Sequence, residues 1–312
     1  QAFHQSKDHW SITMFSTGTN GKPKSITHSW LPLIRNVKVS SKHQSNVWGL
    51  AYNPTHIAGV QVILQALLNG NTIVRLFGLS SEGIIDSIRG NNPTHISATS
   101  SFYRILLPLS DILPSVRRIT FGGEKMDLSV VEALKINFPH AKFLNLYAST
   151  ELGTVLSSQS DIFTIDETNI SFVKIEQGIL WIHTSKLPNA NVSEDDWYNT
   201  EDRVEVLSSH PLQFRFMGRQ ADVVNIGGYN VYLHEVKDAL LSLEGIKDAR
   251  LYSKPNKLLG NILLCDIATD NQTWTEVTIR KQLQLRLVEY KIPRIFNFYT
   301  HLPLGRTGKG SV

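Results

Sequence analysis

The strongest constraint on the fold is the alternation of short apolar runs with helical patterns along the first half of the 312-residue chain. Residues 57–68 carry apolar side chains at helical spacing until an Asn-Gly-Asn sequence interrupts them, which predicts a helix that ends there. A second helix is predicted from Leu128, with Val131, Leu134 and Phe138 on one face. The short apolar runs predict strands at residues 11–15, 72–77, 95–98, 119–121 and 143–146. Strands and helices in this order predict α/β layers.

The pattern changes near Gly218, where a compact α+β module of shorter elements begins. Residues 223–226 predict a strand, and Gly227 and Gly228 predict a turn before a helix at 234–243. Residues 250–253 and 261–268 predict a pair of strands. We therefore place a domain boundary at residues 218–222, with a large domain at 1–218 and a small C-terminal domain at 219–312.

One more helix is predicted near the end of the chain. Thr273 and Glu276 have the spacing of a capping box, in which the two side chains satisfy the free N–H groups of a first helical turn. The apolar pattern that follows predicts a long helix reaching about Tyr290.

Composition is that of an ordinary globular protein, with 41% apolar residues, 19% charged residues and a net charge of +4. Lys and Arg are spread along the chain, so no nucleic-acid partner is expected, and the positive charge suits an anionic ligand such as a nucleotide. No apolar stretch is long enough to predict a membrane span. Cys265 is the only cysteine, which excludes an intramolecular disulfide and two-cysteine metal sites, and a reducing, cytoplasmic compartment is expected.

The first chemical signal is the segment 16–24, S-T-G-T-N-G-K-P-K. Glycines and small hydroxyl residues let backbone N–H groups approach a polyphosphate closely, and two lysines supply positive charge. The segment does not fit the Walker A pattern of P-loop NTPases, so a plain NTPase is a minor alternative. A polar turn between two strands is equally consistent with this segment alone.

Six further motifs follow it in order. They are 52–59 (Y-N-P-T-H-I-A-G), 121–124 (F-G-G-E), 145–151 (N-L-Y-A-S-T-E), 198–202 (Y-N-T-E-D), the glycine-containing stretch 218–231, and 303–309 (P-L-G-R-T-G-K). In this order they resemble the adenylate-forming superfamily, which holds acyl-CoA synthetases, the adenylation domains of peptide synthetases, and luciferases. The form of 52–59 is most similar to o-succinylbenzoate–CoA ligases.

The resemblance implies a layered α/β large domain followed by a mobile α+β lid domain. Members carry a substantial region before the phosphate loop, which starts here at Ser16, so we expect an N-terminally shortened version of the large domain. The implied reaction joins a carboxylic acid to ATP, giving acyl-AMP and pyrophosphate, and then moves the acyl group to a thiol.

The resemblance also assigns roles residue by residue. The implied catalytic residues are Lys309, Thr150 and Glu151, with Glu151 also holding Mg²⁺. The implied ATP and AMP contacts are Ser16, Thr17, Gly18, Thr19, Asn20, Gly21, Lys24, Gly122, Gly123, Glu124, Asn145, Tyr147, Asp202 and Arg219. The implied acyl pocket contains Asn53, His56, Gly59 and Ser97, and the thiol tunnel contains Gly227 and Gly228. His56 is equally consistent with a residue that only begins a helix.

The side-chain chemistry of these residues fits the roles that the resemblance implies. A tyrosine ring offers a flat face to adenine, a carboxylate is a hard oxygen ligand for Mg²⁺, and an aspartate accepts two ribose hydroxyls. A lysine on a mobile domain stabilises charge that develops on the α-phosphate and the attacking carboxylate. The chain departs from the pattern at Ala148 and Glu201, where glycine is usual, and at Ala221, where the hinge acid is usual.

Several alternatives stay open at this point. Coenzyme A is the first choice of acceptor, and the phosphopantetheine arm of an acyl carrier protein is the second. A non-catalytic nucleotide-binding or adenylate-binding scaffold is the alternative of a different class, motivated by the shortened large domain and the three departures. The carboxylic acid is not identified, and an oligomer is possible because a shortened domain would leave apolar surface for a partner to cover.

Overall fold

The structure is a computed structural model, and it describes residues 10–17, 23–167, 169–186 and 196–302. This part of the chain divides into two compact units. The first unit combines the described residues of Gln1–Thr200 with Val204–Phe216, and the second combines Glu201–Arg203 with the described residues of Met217–Val312. No helix within the described residues is long and apolar enough to cross a membrane.

The first unit begins with a hairpin. Strands β1 (Ser11–Thr17) and β2 (Pro23–Ser29) pair antiparallel, from Ser11 opposite Ser29 to Thr17 opposite Pro23, and helix α1 (Trp30–Ile34) follows directly. The strand predicted at 11–15 is confirmed. A small apolar cluster, made of Met14, Trp30, Leu33, Val60 and Leu64, packs the hairpin and α1 against the next helix.

A six-stranded sheet forms the centre of this unit. Its strands are β3 (Val47–Leu50), β4 (Thr72–Arg75), β5 (His95–Ala98), β6 (Arg118–Gly122), β7 (Lys142–Ser149) and β8 (Gly153–Ser158). Their order is β4-β3-β5-β6-β7-β8, with all neighbours parallel except the antiparallel pair of β7 and β8. The strands predicted at 72–77, 95–98, 119–121 and 143–146 are confirmed as β4, β5, β6 and β7, although β4 ends at Arg75.

The crossover helices are α2 (Ile57–Leu67), α3 (Ser81–Asn91), α4 (Ser100–Arg104) and α5 (Leu128–Asn137). Helix α2 ends one residue before the predicted limit, and Gly70 then adopts a left-handed φ of 66° in the turn. Helix α5 begins at Asp127, whose side chain accepts from the N–H groups of Ser129 and Val130. Its predicted inner face is confirmed, because Val131, Leu134 and Phe138 lie in the main apolar core.

A second sheet, most of whose residues belong to the first unit, has no counterpart among the predicted strands. It contains β9 (Ile162–Ile165), β10 (Val173–Glu176), β11 (Ile179–His183), β12 (Trp197–Ser209) and β13 (Leu212–Arg219), in the order β10-β11-β12-β13-β9. Leu152, Phe163, Leu180, Ile182 and Phe214 form its core and are at most 2% exposed.

The second unit is an α+β module. Its strands are β14 (Val223–Ile226), β15 (Tyr229–Tyr232), β16 (Ile246–Asn256), β17 (Gly260–Thr269) and β18 (Ile295–Tyr299), and its helices are α6 (Leu233–Leu241) and α7 (Glu276–Gln284). Strands β16, β17 and β18 form one sheet, in which β17 and β18 are parallel. The predicted strands, the turn at Gly227 and Gly228, and the first predicted helix are confirmed.

The predicted capping box at Thr273 is wrong. Helix α7 begins after Thr275, whose hydroxyl accepts from the Thr278 N–H while the Thr278 hydroxyl accepts from the Thr275 N–H. Thr273 instead donates to Asn271 in a turn. The predicted extension to Tyr290 is also wrong, because the helix ends at Gln284 and the chain turns so that Leu287 and Tyr290 pack against the core of this unit.

Candidate functional site

The carboxyl ends of the parallel strands gather several predicted site residues of the first unit. The sheet order reverses at β3, because β4 lies on one side of it and β5 on the other. In open α/β sheets, ligands bind outside the carboxyl ends of the strands near such a point. Tyr52 follows β3, Ser97 lies near the end of β5, Gly122 ends β6, and Thr150 follows β7. This edge of the sheet is therefore the candidate site.

Tyr52 connects three of these strands and was not among the predicted site residues. It is 5% exposed, and its hydroxyl donates to the Gly122 carbonyl at 3.0 Å. Burial raises the pKa of Tyr52 above its ordinary value, partly opposed by a hydrogen bond with the Ser97 hydroxyl. Gly122 has little room for a side chain, because a Cβ there would lie 3.1 Å from the Tyr52 oxygen.

Glu124, predicted to contact the nucleotide, is engaged within the protein. One carboxylate oxygen accepts from the Ser101 N–H at 2.8 Å and the other from the Ser101 hydroxyl at 3.0 Å. These bonds hold the start of α4 beside the strand end of β6. Gly123, between Glu124 and Gly122, is exposed and has a φ of 81°, a conformation that favours glycine.

The predicted acyl-pocket segment after β3 is a tight turn. The Asn53 side chain accepts from the N–H and the hydroxyl of Thr55, at 3.0 and 2.8 Å, so Asn53 Oδ1 is used locally. Gly59 is required by the turn itself, because a Cβ there would lie 2.2 Å from the Asn53 carbonyl oxygen. His56 precedes the first residue of α2 and makes no side-chain capping bond. Ser97 is 9% exposed.

The end of β7 presents Tyr147, Thr150 and Glu151. Tyr147 stacks on Phe216 with ring centroids 4.4 Å apart and an interplanar angle of 22°. One face of the tyrosine ring is thus covered by Phe216. The turn closes where the Leu152 N–H donates to the Ser149 hydroxyl at 3.1 Å.

Asn145, predicted to contact the nucleotide, lies earlier on β7 and is 6% exposed. Its side-chain amide donates to the Ser160 carbonyl at 3.0 Å. The side chain therefore fastens β7 to the segment that follows β8, and this bond supports the strand that carries Tyr147.

The second unit contains the predicted ribose pair. Asp202 is 9% exposed, and its Oδ1 lies 3.4 Å from Nε of Arg219. Glu201, directly before Asp202, has a φ of 59°, which is a left-handed conformation that few residues other than glycine adopt. The structure therefore brings the two predicted ribose residues together beside a strained backbone position.

Gly227 and Gly228 form the two-residue loop between β14 and β15, with φ values of 58° and 88°. Both central residues of such a hairpin turn need positive φ, so these glycines have a structural requirement independent of any thiol tunnel. The Gly227 N–H donates to the Leu259 carbonyl at 2.8 Å, and the Gly228 N–H donates to Asn225 Oδ1 at 3.2 Å.

Several predicted residues lie outside the described residues. Lys309 is one, and the others are Gly18, Thr19, Asn20 and Gly21 of the predicted phosphate loop. Ser16, Thr17 and Lys24 are described only through their backbone, which belongs to the paired strands β1 and β2.

The expected Mg²⁺ site at Glu151 offers few protein ligands. Within the described ranges, no group of three or more His, Cys, Asp or Glu side chains is placed to hold a metal. Mg²⁺ bound with a nucleotide needs only one or two carboxylates, because phosphates and water supply the remaining ligands. Glu151, which follows Thr150 directly in the sequence, supplies one carboxylate, and one carboxylate is enough for a metal of that kind.

Phe216 and Tyr52 are structural neighbours of the site that were not among the predicted site residues. Tyr52 is the first residue of the motif at 52–59, so its position was a usable signal. Phe216 is separated from Tyr147 by many residues, and no local pattern marks that contact.

Comparisons with known proteins agree with this geometry. The family profile described as AMP-binding enzyme matches residues 2–174. The 2-succinylbenzoate–CoA ligase of Listeria monocytogenes serotype 4b (strain F2365) is 22% identical over 320 residues, covering 95% of this chain and 67% of that protein. The 2-succinylbenzoate–CoA ligase of Staphylococcus aureus (strain JH9) is 24% identical over 324 residues, covering 95% of this chain and 64% of that protein. The chain thus spans about two thirds of the length of these relatives.

Solved structures show the same fold. The o-succinylbenzoate CoA synthetase from Bacillus subtilis, in complex with the acyl-adenylate OSB-AMP, matches with a TM-score of 0.71 and 21% identity, covering 95% of this chain and 67% of that one. ATP-bound MatB from Rhodopseudomonas palustris matches with a TM-score of 0.75 and 17% identity, covering 96% and 66%. The predicted fold class, that of the adenylate-forming enzymes, is confirmed.

Proposed function

The chain belongs to the AMP-binding enzyme family, and from this premise we propose that it activates a carboxylic acid with ATP. The products of this step are an acyl-adenylate and pyrophosphate. The acyl group then passes to the thiol of coenzyme A. Because the chain covers about two thirds of its relatives, the complete reaction is proposed for this chain from the arrangement of its own residues.

One observation carries the proposal. The carboxyl end of β7 presents Tyr147 on the strand and Thr150 and Glu151 in the turn that follows it, at the edge of the parallel sheet where ligands of α/β proteins bind. The aromatic ring of Tyr147 suits adenine, the Thr150 hydroxyl suits the α-phosphate, and the Glu151 carboxylate suits Mg²⁺. An aromatic face, a hydroxyl and a carboxylate in this order match the parts of a metal-bound adenine nucleotide.

The chemistry consists mostly of positioning and charge compensation. The carboxylate of the acid attacks the α-phosphorus of ATP, a P–O bond forms, and the bond to pyrophosphate breaks. Mg²⁺, when bound, neutralises phosphate charge. Asp202 orients the ribose by accepting its hydroxyls, Arg219 holds the Asp202 carboxylate, and Lys309 stabilises the negative charge on the attacking and accepting oxygens.

Coenzyme A is the proposed acceptor because the relatives described above are CoA ligases. Their acid, 2-succinylbenzoate, is a candidate substrate and belongs in any panel of acids. A carrier-protein thiol is the competing acceptor, and comparing the two thiols with preformed acyl-adenylate separates them. A cytoplasmic location suits a chain whose single cysteine, Cys265, is buried and unpaired.

The test is the Lys309→Ala variant. It should lower acid-dependent ATP–pyrophosphate exchange by about 100-fold or more, because a cation aimed at developing charge contributes several kcal/mol. Acyl transfer from preformed acyl-adenylate should change much less. Lys281→Ala, at an exposed lysine on α7, is the matched control and should leave exchange unchanged. Undiminished exchange in Lys309→Ala contradicts the assignment. Failure of every acid in a broad panel to yield a hydroxamate in the presence of ATP and hydroxylamine contradicts the proposed function.

A further inference from the structure

The β6–α5 loop (residues 123–127) directly follows Gly122 and contains Glu124, and both of these residues are predicted nucleotide contacts. Side chains from other elements hold both of them. The Gly122 carbonyl accepts from the Tyr52 hydroxyl at 3.0 Å, and both carboxylate oxygens of Glu124 accept from Ser101. The glycine between them is exposed and has a φ of 81°. The path of the chain through this glycine is therefore set by the bonds on either side of it.

Helix α4, which contains Ser101, is a rigid support for this loop. The buried Tyr103 hydroxyl lies 3.0 Å from the carbonyl oxygens of both Ile96 and Thr120, so it fastens the helix to β5 and β6. Ser101 is also buried. Because buried polar groups with satisfied hydrogen bonds have few alternative positions, the N–H and hydroxyl of Ser101 lie at a fixed place beside the strand ends.

Three further bonds join α4 to the end of the same loop. The Ser100 hydroxyl donates to the Lys125 carbonyl at 2.7 Å and accepts from the Asp127 N–H at 3.2 Å. Arg104 forms an ion pair with Asp127, with Nη2 and Oδ2 2.5 Å apart and both side chains largely buried. Together with the bonds to Glu124, these contacts connect the loop to one short helix at three of its five residues.

The bonds between Glu124 and Ser101 are the ones nearest to the exposed glycine. The Ser101 N–H donates to one carboxylate oxygen at 2.8 Å, and the Ser101 hydroxyl donates to the other at 3.0 Å. Hydrogen bonds to a charged acceptor are stronger than those to a neutral one, and two from a single residue also fix the orientation of the carboxylate. This geometry gives Glu124 a role within the protein.

We propose that Glu124 and Ser101 are positioning residues for ATP binding, in which the carboxylate held by Ser101 fixes the β6–α5 loop and does not itself contact the nucleotide. Glu124 thereby differs from the neighbouring Gly122, whose backbone keeps its predicted contact. The inference rests on the proposed function, because the placement of this loop affects ATP binding only if the loop lies against ATP.

Two variants at Glu124 separate positioning from direct contact. Glu124→Ala removes both bonds, and it should raise the KM for ATP in ATP–pyrophosphate exchange about 10-fold, since small misplacements of binding groups have effects of that order. The kcat should stay within about three-fold, because the loop would bind ATP equally in the ground state and the transition state. Glu124→Gln removes the charge but keeps both bonds, since its oxygen accepts from the Ser101 N–H and its amide donates to the hydroxyl. It should recover most of the affinity that Glu124→Ala loses.

Ser101→Ala completes a double-mutant cycle with Glu124→Ala. It removes one of the two bonds, so the KM for ATP should rise about 3- to 5-fold, and the double variant should bind ATP no more weakly than Glu124→Ala alone. Ser87→Ala is the matched control, because its hydroxyl joins α3 to the Arg75 carbonyl at 3.2 Å, and it should leave the KM unchanged. A wild-type KM in Ser101→Ala, additive losses in the double variant, or a Glu124→Gln variant as weak as Glu124→Ala would each overturn the proposal.

Amide hydrogen exchange of the ligand-free protein tests the same role without catalysis. In Glu124→Ala the amides of residues 123–127 should exchange faster than in the wild type, while those of β16 and β17 keep wild-type rates. Glu124→Gln should keep nearly wild-type rates in the loop. Unchanged protection of the loop in Glu124→Ala overturns the positioning role. If the wild-type protein activates no acid, the proposed function fails by itself, and this measurement still decides whether Glu124 holds the loop.

Discussion

Two segments of the chain each present a predicted site carboxylate, and each lacks a glycine that is usual in the adenylate-forming superfamily. In the first, Ala148 precedes Glu151 at the end of β7. In the second, Glu201 directly precedes Asp202 in β12. The backbones differ: the non-glycine residues with positive φ among the described residues are Asn92, Gln177 and Glu201, so Ala148 has an ordinary φ while Glu201 does not.

This difference shows that losing a glycine has no fixed cost. At Ala148 the chain is a strand, where a methyl group fits the ordinary φ range and a side chain is favoured over glycine. At Glu201 the left-handed conformation costs a residue with a Cβ about 1–2 kcal/mol. Strain of this kind persists only where the surroundings hold it, and here the neighbouring Asp202 is buried and paired with Arg219.

The largest effect in this comparison should come from Asp202→Asn. The change removes a charged acceptor, and a hydrogen bond to a charged group contributes about 1.5–3 kcal/mol, so the KM for ATP should rise about 10- to 100-fold. Steady-state exchange kinetics at varied ATP measure it. Asp270→Asn, which removes an exposed ion pair with Lys247, is the control and should leave KM unchanged. An unaltered KM in Asp202→Asn would show that Asp202 serves Arg219 alone and that the strain at Glu201 positions no ligand group.

Glu201→Gly should have a smaller effect, and it should stabilise the fold where Asp202→Asn weakens ATP binding. Glycine adopts a φ of 59° without the Cβ penalty, so the free energy of unfolding should rise by about 1 kcal/mol. Chemical denaturation followed by circular dichroism measures the change. Gln177→Gly is a matched control, because Gln177 has a φ of 51° in the turn between β10 and β11, away from the predicted sites. Stabilisation by Gln177→Gly but not by Glu201→Gly would mean that contacts of the Glu201 side chain offset the strain.

The two segments also differ in whether the sequence predicts the strand that carries each of them. The strands at and beside the first segment contain short apolar runs, so residues 95–98 and 143–146 predict β5 and β7. Strand β12, which carries Glu201, alternates exposed and buried positions and includes several charged residues, so no apolar run marks it. The capping box predicted at Thr273 is wrong because Thr275, two residues later, can also begin a helix. The local sequence does not distinguish between the two threonines.

Motifs predict the local part of the candidate site and miss the long-range part. The sequence places Tyr147, Thr150 and Glu151 at the end of one strand, because they are close together in the chain. The contacts of Glu124 with Ser101, and of Tyr147 with Phe216, join residues that meet only through sheet packing. A positive φ at Glu201 is likewise invisible to the side-chain pattern, although the missing glycine indicated where to look.

The smallest effect should come from Ala148→Gly, which should destabilise the protein, in contrast to Glu201→Gly. Glycine in a strand gains flexibility in the unfolded chain without relieving any strain, so the free energy of unfolding should fall by about 0.5–1 kcal/mol. The irregular pairing between Tyr147 and Ala148 opposite β8 makes the lower end of that range the expected value. Glu201→Gly is the paired control in the same denaturation experiment, and the two substitutions should shift stability in opposite directions. A stabilised Ala148→Gly would show that residue 148 favours a glycine-like conformation in solution, and that both departures, not one, are strained.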